Sequence, residues 1–328
     1  MKKRIIYVPL ENIEQRYSKM MNNAFDKEDI SIVIAPEFNY SEVIENGEFL
    51  DINKTIIYKT KQLQMIAEMF YKKQILNNDI FLVADMFFPG IESIKYMAEL
   101  QGIKVEIFGF NYAGRADKND FVQKLGKWAD SCEQGYHDVF DGIFVGSFYH
   151  KNNILDHFSI DENKIHVTGY VWDRDYVRSV FNEETIKEDF VVFPHRLSVE
   201  KGIKEFLDFA AKTDKKIVIT SSGNKVDIDL PENVTYLYNL TKKQYYEVLA
   251  RAKYYLSTAY QETFGYTLQE AIHFNCLIAV PKRACYPEMV PQDALFDHID
   301  DIKFTAVNEA WTNRWSHNAK EIIKILNA

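Results

Sequence analysis

The chain has 328 residues, 47% of them hydrophobic and 27% charged, with a formal net charge of −9. That length exceeds one ordinary core and suits two domains of about 150 residues each. The acidic balance argues against a general nucleic-acid binder. Three cysteines (Cys132, Cys276 and Cys285) without CxxC spacing support neither a disulfide framework nor a zinc knuckle.

In chain order, the first ten residues hold a short basic start and a brief apolar run, too short for a secretory segment, and predict a first strand. Strands are expected over 4–8, 30–35, 80–84, 104–110, 142–145 and 164–168. Helices are expected over 13–24, 56–75, 91–101, 121–140 and 149–157. Strands alternating with helices imply a mostly parallel sheet covered on both faces. Between residues 54 and 73, five lysines face a single acid, Glu68, and read as a solvated helix face.

Residues 169–189 are polar and charged with no clear strand, and mark the inter-domain connection. The alternation then restarts. Strands are expected over 190–193, 216–220, 234–237, 254–257 and 277–280, with helices over 203–211, 242–252 and 265–274. The tail, 300–326, has helical apolar spacing. The domain expectation is 1–170, 171–310 and a helical segment 311–328 whose candidate packing partner is the first domain. The fold class expected is α/β, with two Rossmann-like, doubly wound parallel-sheet domains facing a cleft. Ligands bind such sheets outside the carboxyl ends of their strands. No stretch approaches the roughly 18 apolar residues of a membrane span. Free thiols fit a reducing compartment, so the expected location is the cytoplasm.

Two motifs stand at such strand ends. Gln261-Glu262-Thr263-Phe264-Gly265-Tyr266-Thr267-Leu268-Gln269-Glu270 carries two glutamates with seven residues between them. Glu262 lies in a loop that opens a helix, and the amides from Thr263 to Tyr266, just before Thr267, suit a diphosphate through their free N–H groups and the helix dipole. Gly265 allows close backbone approach, and Glu270 can accept bonds from a ribose diol. The plainer reading is a helix with one acidic cap and one exposed glutamate. Phe193-Pro194-His195-Arg196-Leu197-Ser198-Val199-Glu200-Lys201-Gly202 follows the first strand of the second domain. Its Arg196 and Lys201 can hold a diphosphate and offset charge as it leaves. The plainer reading there is a surface loop with scattered charge.

Together these motifs resemble glycosyltransferase family 4 and its retaining GT-B relatives, over residues 190–291. Residues 217–223 look like the family's second strand and glycine turn, with Ser222 and Gly223, and 236–240 like its base-reading segment, with Asn239 and Leu240. The resemblance implies that Arg196 and Lys201 grip the donor diphosphate, Glu262 contacts the transferred sugar and Glu270 the ribose. It implies a nucleoside-diphosphate sugar as co-substrate and no metal or other cofactor. The first half departs from the family. Its glycine-rich first loop is replaced by Pro9 to Tyr17, and the family's histidine after the fourth strand by Asn111-Tyr112-Ala113-Gly114-Arg115. The stretches PLENIEQRY, ADMFFPGIES and FNYAGRAD look like a glycosyltransferase group common in bacteriophages, some of which decorate modified DNA bases.

Glu11, Arg16, Asp85, Tyr112, Arg115 and Asp117 stand at or after strand ends of the first half and are its acceptor-side candidates. Asp85 could equally cap a helix. Asp227-Ile228-Asp229 is a literal Asp-x-Asp, but its polar loop lies away from a cleft strand end. Residues 297–301 read as a capped helix start. The acceptor classes left open are hydroxymethylated DNA, a saccharide or lipid, and a small metabolite. Two other classes share the fold: sugar-nucleotide 2-epimerases and non-catalytic sugar-nucleotide-binding proteins. The oligomeric state is not legible.

Overall fold

The computed structural model describes residues 3–13, 16–38, 52–221 and 227–328. The Ser222–Gly223 turn therefore lies outside the described residues. The elements are β1 (Ile5–Val8), α1 (Tyr17–Asp26), β2 (Ile32–Val33), α2 (Ile52–Tyr71), β3 (Asp79–Val83), α3 (Ile91–Leu100), β4 (Val105–Phe110), α4 (Trp128–Val139), β5 (Gly142–Val145), α5 (Phe148–His157) and β6 (Ile165–Val167). There follow α6 (Arg174–Val180), β7 (Glu188–Phe193), α7 (Ile203–Lys212), β8 (Lys216–Thr220), β9 (Val234–Leu237), α8 (Lys242–Arg251), β10 (Ala252–Leu256), α9 (Tyr266–His273), β11 (Leu277–Pro281), α10 (Tyr286–Met289), β12 (Leu295–Phe296), β13 (Thr305–Ala306), α11 (Ala310–Asn313) and α12 (Asn318–Leu326). The described residues divide into two compact units. One takes the residues up to 172 together with 317–328, and the other those from 173 to 316. No helix among the described residues is long and apolar enough to cross a membrane.

The first unit is one parallel sheet in the order β2-β1-β3-β4-β5-β6. Strands β1 and β3 are buried on both faces, which is why they read as apolar runs rather than alternating ones. Helix α3 buries Ile91, Ile94 and Ala98, the one-face spacing of an amphipathic helix. These join Ile6, Phe81, Ile107, Ile143 and Ile66 of α2 in a single core.

The second unit's sheet runs β12-β11-β10-β7-β8-β9, all parallel, with β13 added antiparallel to β11. Its core gathers Val191, Phe193, Ile217, Ile219 and Leu256 against Phe206 and Phe209 of α7. In each sheet the chain starts in the interior and reverses direction across it. The reversal points are β1/β3 and β7/β10.

The departures from the sequence reading have local causes. Helix α1 starts at Tyr17 rather than Ile13 because Arg16 is extended. The helix expected over 121–140 is a 3-10 turn, Phe121–Lys124, then α4, with an extended Leu125 between them. The 169–189 connection contains α6, whose start is set by Asp173 accepting the Asp175 and Tyr176 N–H groups. The tail is broken, because Thr305 and Ala306 are drawn into pairing with β11. Asp85 does not cap α3, whose N-cap is Gly90. It accepts the Phe87 N–H at 3.1 Å and pairs with Lys59 Nζ at 2.5 Å. Lys59 is thereby buried, unlike Lys54, Lys61, Lys72 and Lys73 on the same stretch, which are exposed. Residues 299–301 form a 3-10 turn with no side-chain cap.

The loop after β4 is held from behind by α4. Arg115 makes a two-pronged pair with Asp130 (2.7 and 3.1 Å) and donates to the Val122 carbonyl. Its backbone N–H donates to Glu133 at 2.9 Å. Gly114 is required there, because a Cβ would come within 2.5 Å of the Glu133 carboxylate. Burial lifts the Glu133 carboxyl to about 7, and burial pushes His137, 3.9 Å away, down to about 4. A raised carboxyl contributes stability that is full at low pH and is lost as pH rises through the folded value. Glu133→Gln should therefore gain on the wild type by up to about 3 kcal/mol on going from pH 5 to pH 8. Urea unfolding of both proteins at the two pH values measures it, and an equal difference at both would refute it.

Candidate active site

Both motif loops leave the carboxyl ends of β7 and β10, the strands on either side of the second sheet's reversal point. A crevice forms at such a point because the two connections depart to opposite faces. Here the loops are fastened to each other. The Glu200 carbonyl accepts both the Tyr260 and Gln261 N–H groups, at 2.9 and 3.1 Å. Thr258 Oγ1 lies 3.0 Å from the carbonyls of Lys201 and Gly202. Gly202 has φ +70°, and a Cβ on it would stand 2.1 Å from the Thr258 carbonyl oxygen. The glycine is what lets the loops meet. A third loop, after β11, joins them: the Cys285 N–H donates to the Glu262 carbonyl. Arg283 donates to the Ala259 and Thr258 carbonyls, pairs with Glu205 and lies 3.9 Å from the Tyr260 ring centroid.

Sixty residues apart in sequence, the charged groups of the two motifs are neighbours in space. Lys201 Nζ donates to the Gln261 carbonyl at 2.8 Å and lies 3.3 Å from Glu262 Oε2. Glu262 Oε1 accepts the Gly265 N–H at 3.1 Å. One glutamate thus pins both the lysine and the start of α9. Gly265 has φ +77°, so it turns the chain into the helix. Arg196 is paired with Glu200 Oε1 at 3.0 Å, and Ser198 Oγ donates to the same oxygen at 2.6 Å. Both cations are held by carboxylates and remain partly exposed, at 27% and 15% of their side chains. Behind them, His195 is buried. Burial, with Lys201 and Arg196 nearby, pushes its pKa well below the ordinary value, so it is neutral.

Of the remaining donor-side candidates, Thr263 and Phe264 are buried, and Tyr266 and Thr267 half-buried. Thr267 Oγ1 is 2.9 Å from the Tyr255 hydroxyl. Asn239 (φ +53°) is exposed and Leu240 half-buried, just past the carboxyl end of β9. Glu270 is not the exposed glutamate of the plainer reading. Its side chain is 4% exposed and accepts from Lys242 Nζ (2.7 Å), Tyr245 (2.7 Å) and Tyr246 (3.1 Å). The sequence reading missed these three partners. The signal for them was the Thr241–Gln244 capping box, which puts Lys242 on the first turn of α8.

In the first unit, Glu11 is buried at the carboxyl end of β1. Arg16 lies beside Tyr17, 5.8 Å from its ring centroid. Tyr112 packs on Tyr17 and Tyr170 and donates to Met21. Arg115 is spent on holding its own loop, and buried Asp117 accepts the Asn119 N–H within that loop. Asp227 and Asp229 are exposed ahead of β9, at its amino end. No group of three His, Cys, Asp or Glu side chains that could hold a metal occurs among the described residues. A surface hollow opens at the amino ends of β7 and β8, lined by Glu188, Phe190 and Lys216, and no motif residue reaches it.

No family model matches the chain. Among solved structures it is similar to sucrose-phosphate synthase from Thermosynechococcus elongatus, at 11% identity over 99% of this chain and 95% of that one, with a TM-score of 0.65. It is similar to the UDP-forming α,α-trehalose-phosphate synthase from Burkholderia vietnamiensis, at 10% identity over 100% and 97% of the two chains, with a TM-score of 0.61. A trehalose-6-phosphate synthase studied for glycosyl transfer with retention matches at 9% identity over 99% of each chain, with a TM-score of 0.63. The fold is GT-B, with two Rossmann-like parallel-sheet domains.

Two substitutions test this geometry. Gly202→Ala should cost on the order of 3 kcal/mol, from positive φ and collision with the Thr258 carbonyl, as read by urea unfolding; a loss under about 1 kcal/mol would mean the loops separate easily. Glu270→Gln leaves Lys242 without its counter-charge and should cost about 2 kcal/mol in the same measurement. An unchanged midpoint would show that the network is not structural.

Proposed function

We propose that this chain is a glycosyltransferase that moves a sugar from a nucleoside-diphosphate donor to an acceptor hydroxyl with retention and without a metal ion. The observation that carries the reading is the junction of the Arg196–Lys201 loop with the Glu262–Gly265 loop at the reversal point of the second sheet. Two cations and a helix start converge there, which is the chemistry a diphosphate leaving group requires. The UDP-forming and retaining enzymes among the similar structures support the donor class and the stereochemistry.

In the proposed step the bond from the anomeric carbon to the diphosphate oxygen breaks. The acceptor oxygen bonds to the same face of that carbon, and its proton passes to the departing phosphate oxygen. Arg196 and Lys201 exchange their glutamate partners for phosphate oxygens and stabilise the developing charge. Glu262, released by Lys201, faces the sugar hydroxyls, and Glu270 stands on the ribose side through its network. A 2-epimerase is disfavoured, because Glu270 is engaged by Lys242 and two tyrosines rather than free for proton abstraction. For the acceptor, the sugar-phosphate synthases among the similar structures favour a saccharide. Hydroxymethylated DNA, suggested by the phage-type stretches, is the second class to test, and the net charge of −9 weighs against it.

Mass spectrometry of donor turnover with a panel of sugar nucleotides and acceptors, modified DNA included, decides the activity. Arg196→Ala and Lys201→Ala should each lower turnover by about 100-fold, with activity of the wild type persisting in excess EDTA. Wild-type turnover in either variant would refute the clamp, and loss in EDTA restored by manganese would refute the metal-free mechanism.

A further inference from the structure

The carboxyl end of the first sheet collects buried polar atoms that lack partners among the described residues. Glu11 is 3% exposed, and its Oε2 accepts no hydrogen bond. Ser18, on the first turn of α1, is 1% exposed with its hydroxyl unpartnered. Gln62 is 1% exposed with Oε1 unpartnered, and Asn111, just past β4, is fully buried with both amide atoms unpartnered. Each such atom costs about 1 to 3 kcal/mol if nothing satisfies it, and buried polar groups are satisfied in the great majority of cases.

The loop that bears Glu11 is nevertheless firmly placed. Gln62 Nε2 donates to the Pro9 carbonyl and to the Ile34 carbonyl, both at 2.8 Å. Asn22 Nδ2 donates to the Leu10 carbonyl at 3.1 Å, and the Tyr7 hydroxyl holds Asn22 at 2.8 Å. A carboxylate presented by a loop pinned from two helices is a preorganised acceptor rather than a stray charge. It also sits at the reversal point of its sheet, beside β3, where open α/β sheets take ligands. The surroundings are polar, with Arg16 and Tyr17 on the same stretch of chain. Asp85 already has Lys59, and the Tyr17 phenol, hydrogen-bonded to Tyr112, feels Arg16 as well as Asp85 and Glu11. Glu11 Oε2 can take a hydrogen-bond donor, and Ser18 and Asn111 can take acceptors. A sugar's hydroxyl groups supply both at once.

We infer that Glu11 is the anchor of a hydroxyl-binding subsite in the first unit, taking a non-reacting hydroxyl of a saccharide acceptor and orienting it. The inference rests on the glycosyltransferase reading for its acceptor, but its subsite can be tested without turnover. Saturation-transfer NMR of the whole chain with a panel of methyl glycosides should show bound ring protons in the wild type and lose them in Glu11→Gln. UDP affinity, measured by calorimetry, should be the same in both proteins. In the transfer assay the same variant should raise the acceptor KM by about tenfold, while the donor KM stays put. Its melting temperature should equal or exceed that of the wild type, because a buried unsatisfied carboxylate has been removed. Silence from every glycoside in the wild type, equal signal in the variant, or a lowered melting temperature with both KM values raised together would overturn the subsite. Glycoside binding without nucleoside diphosphate release from any donor would leave the subsite standing and sink the transferase reading instead.

Discussion

The second unit depends on one close approach, that of Gly202 to the Thr258 carbonyl. Strands β7 and β10 are neighbours in the sheet, so the chain leaves them a few ångströms apart, but neighbouring strands alone do not align two loops. The missing side chain at Gly202 lets Thr258 seat its hydroxyl between two carbonyls. From that contact follow the paired N–H groups on the Glu200 carbonyl, the placement of Lys201 against Glu262, and through Glu262 the first turn of α9. A backbone constraint thus sets the positions of groups whose interest is electrostatic.

Those charges are balanced in the absence of ligand. Arg196 rests on Glu200 and Lys201 on Glu262, in partly exposed pairs of the kind worth little in water. Such pairs keep the side chains oriented without locking them, and a diphosphate bearing more charge than a carboxylate can displace either partner. Glu270 is different. Its three donors and 4% side-chain exposure make it part of the wall, so whatever it does for a ligand is done through Lys242 and the two tyrosines.

Much of this was legible in the sequence. The strands of both sheets up to β11 were, because buried strands leave apolar runs such as DIFLV and KIVIT, whereas the two-residue β12 and β13 were not. The two motifs were legible as chemistry because they follow such runs directly. Helix α6 was not, since its polar surface hid the Asp173 cap, and the tail misread as one helix because pairing with β11 overrides its apolar spacing. Arg115 was an acceptor-side candidate by topology alone, and its contacts with Asp130 and the Val122 carbonyl, which brace its loop, were not legible. Glu270 looked exposed because its partners come from another helix, 24 to 28 residues away.

The order of the strands carries a consequence for how the molecule comes into being. Because β10 enters the sheet beside β7 only after β8, β9 and α8 have been laid down on the other side, the two halves of the site are separated by the closure of a loop some sixty residues long. Closing a loop of that length is entropically unfavourable and is rewarded only once β10 docks. A chain interrupted anywhere before β10 lacks Thr258, Gln261 and Glu262, and so has nothing to place Lys201 against. The junction of the two loops therefore arrives as a single late event in the maturation of the unit, rather than growing with it.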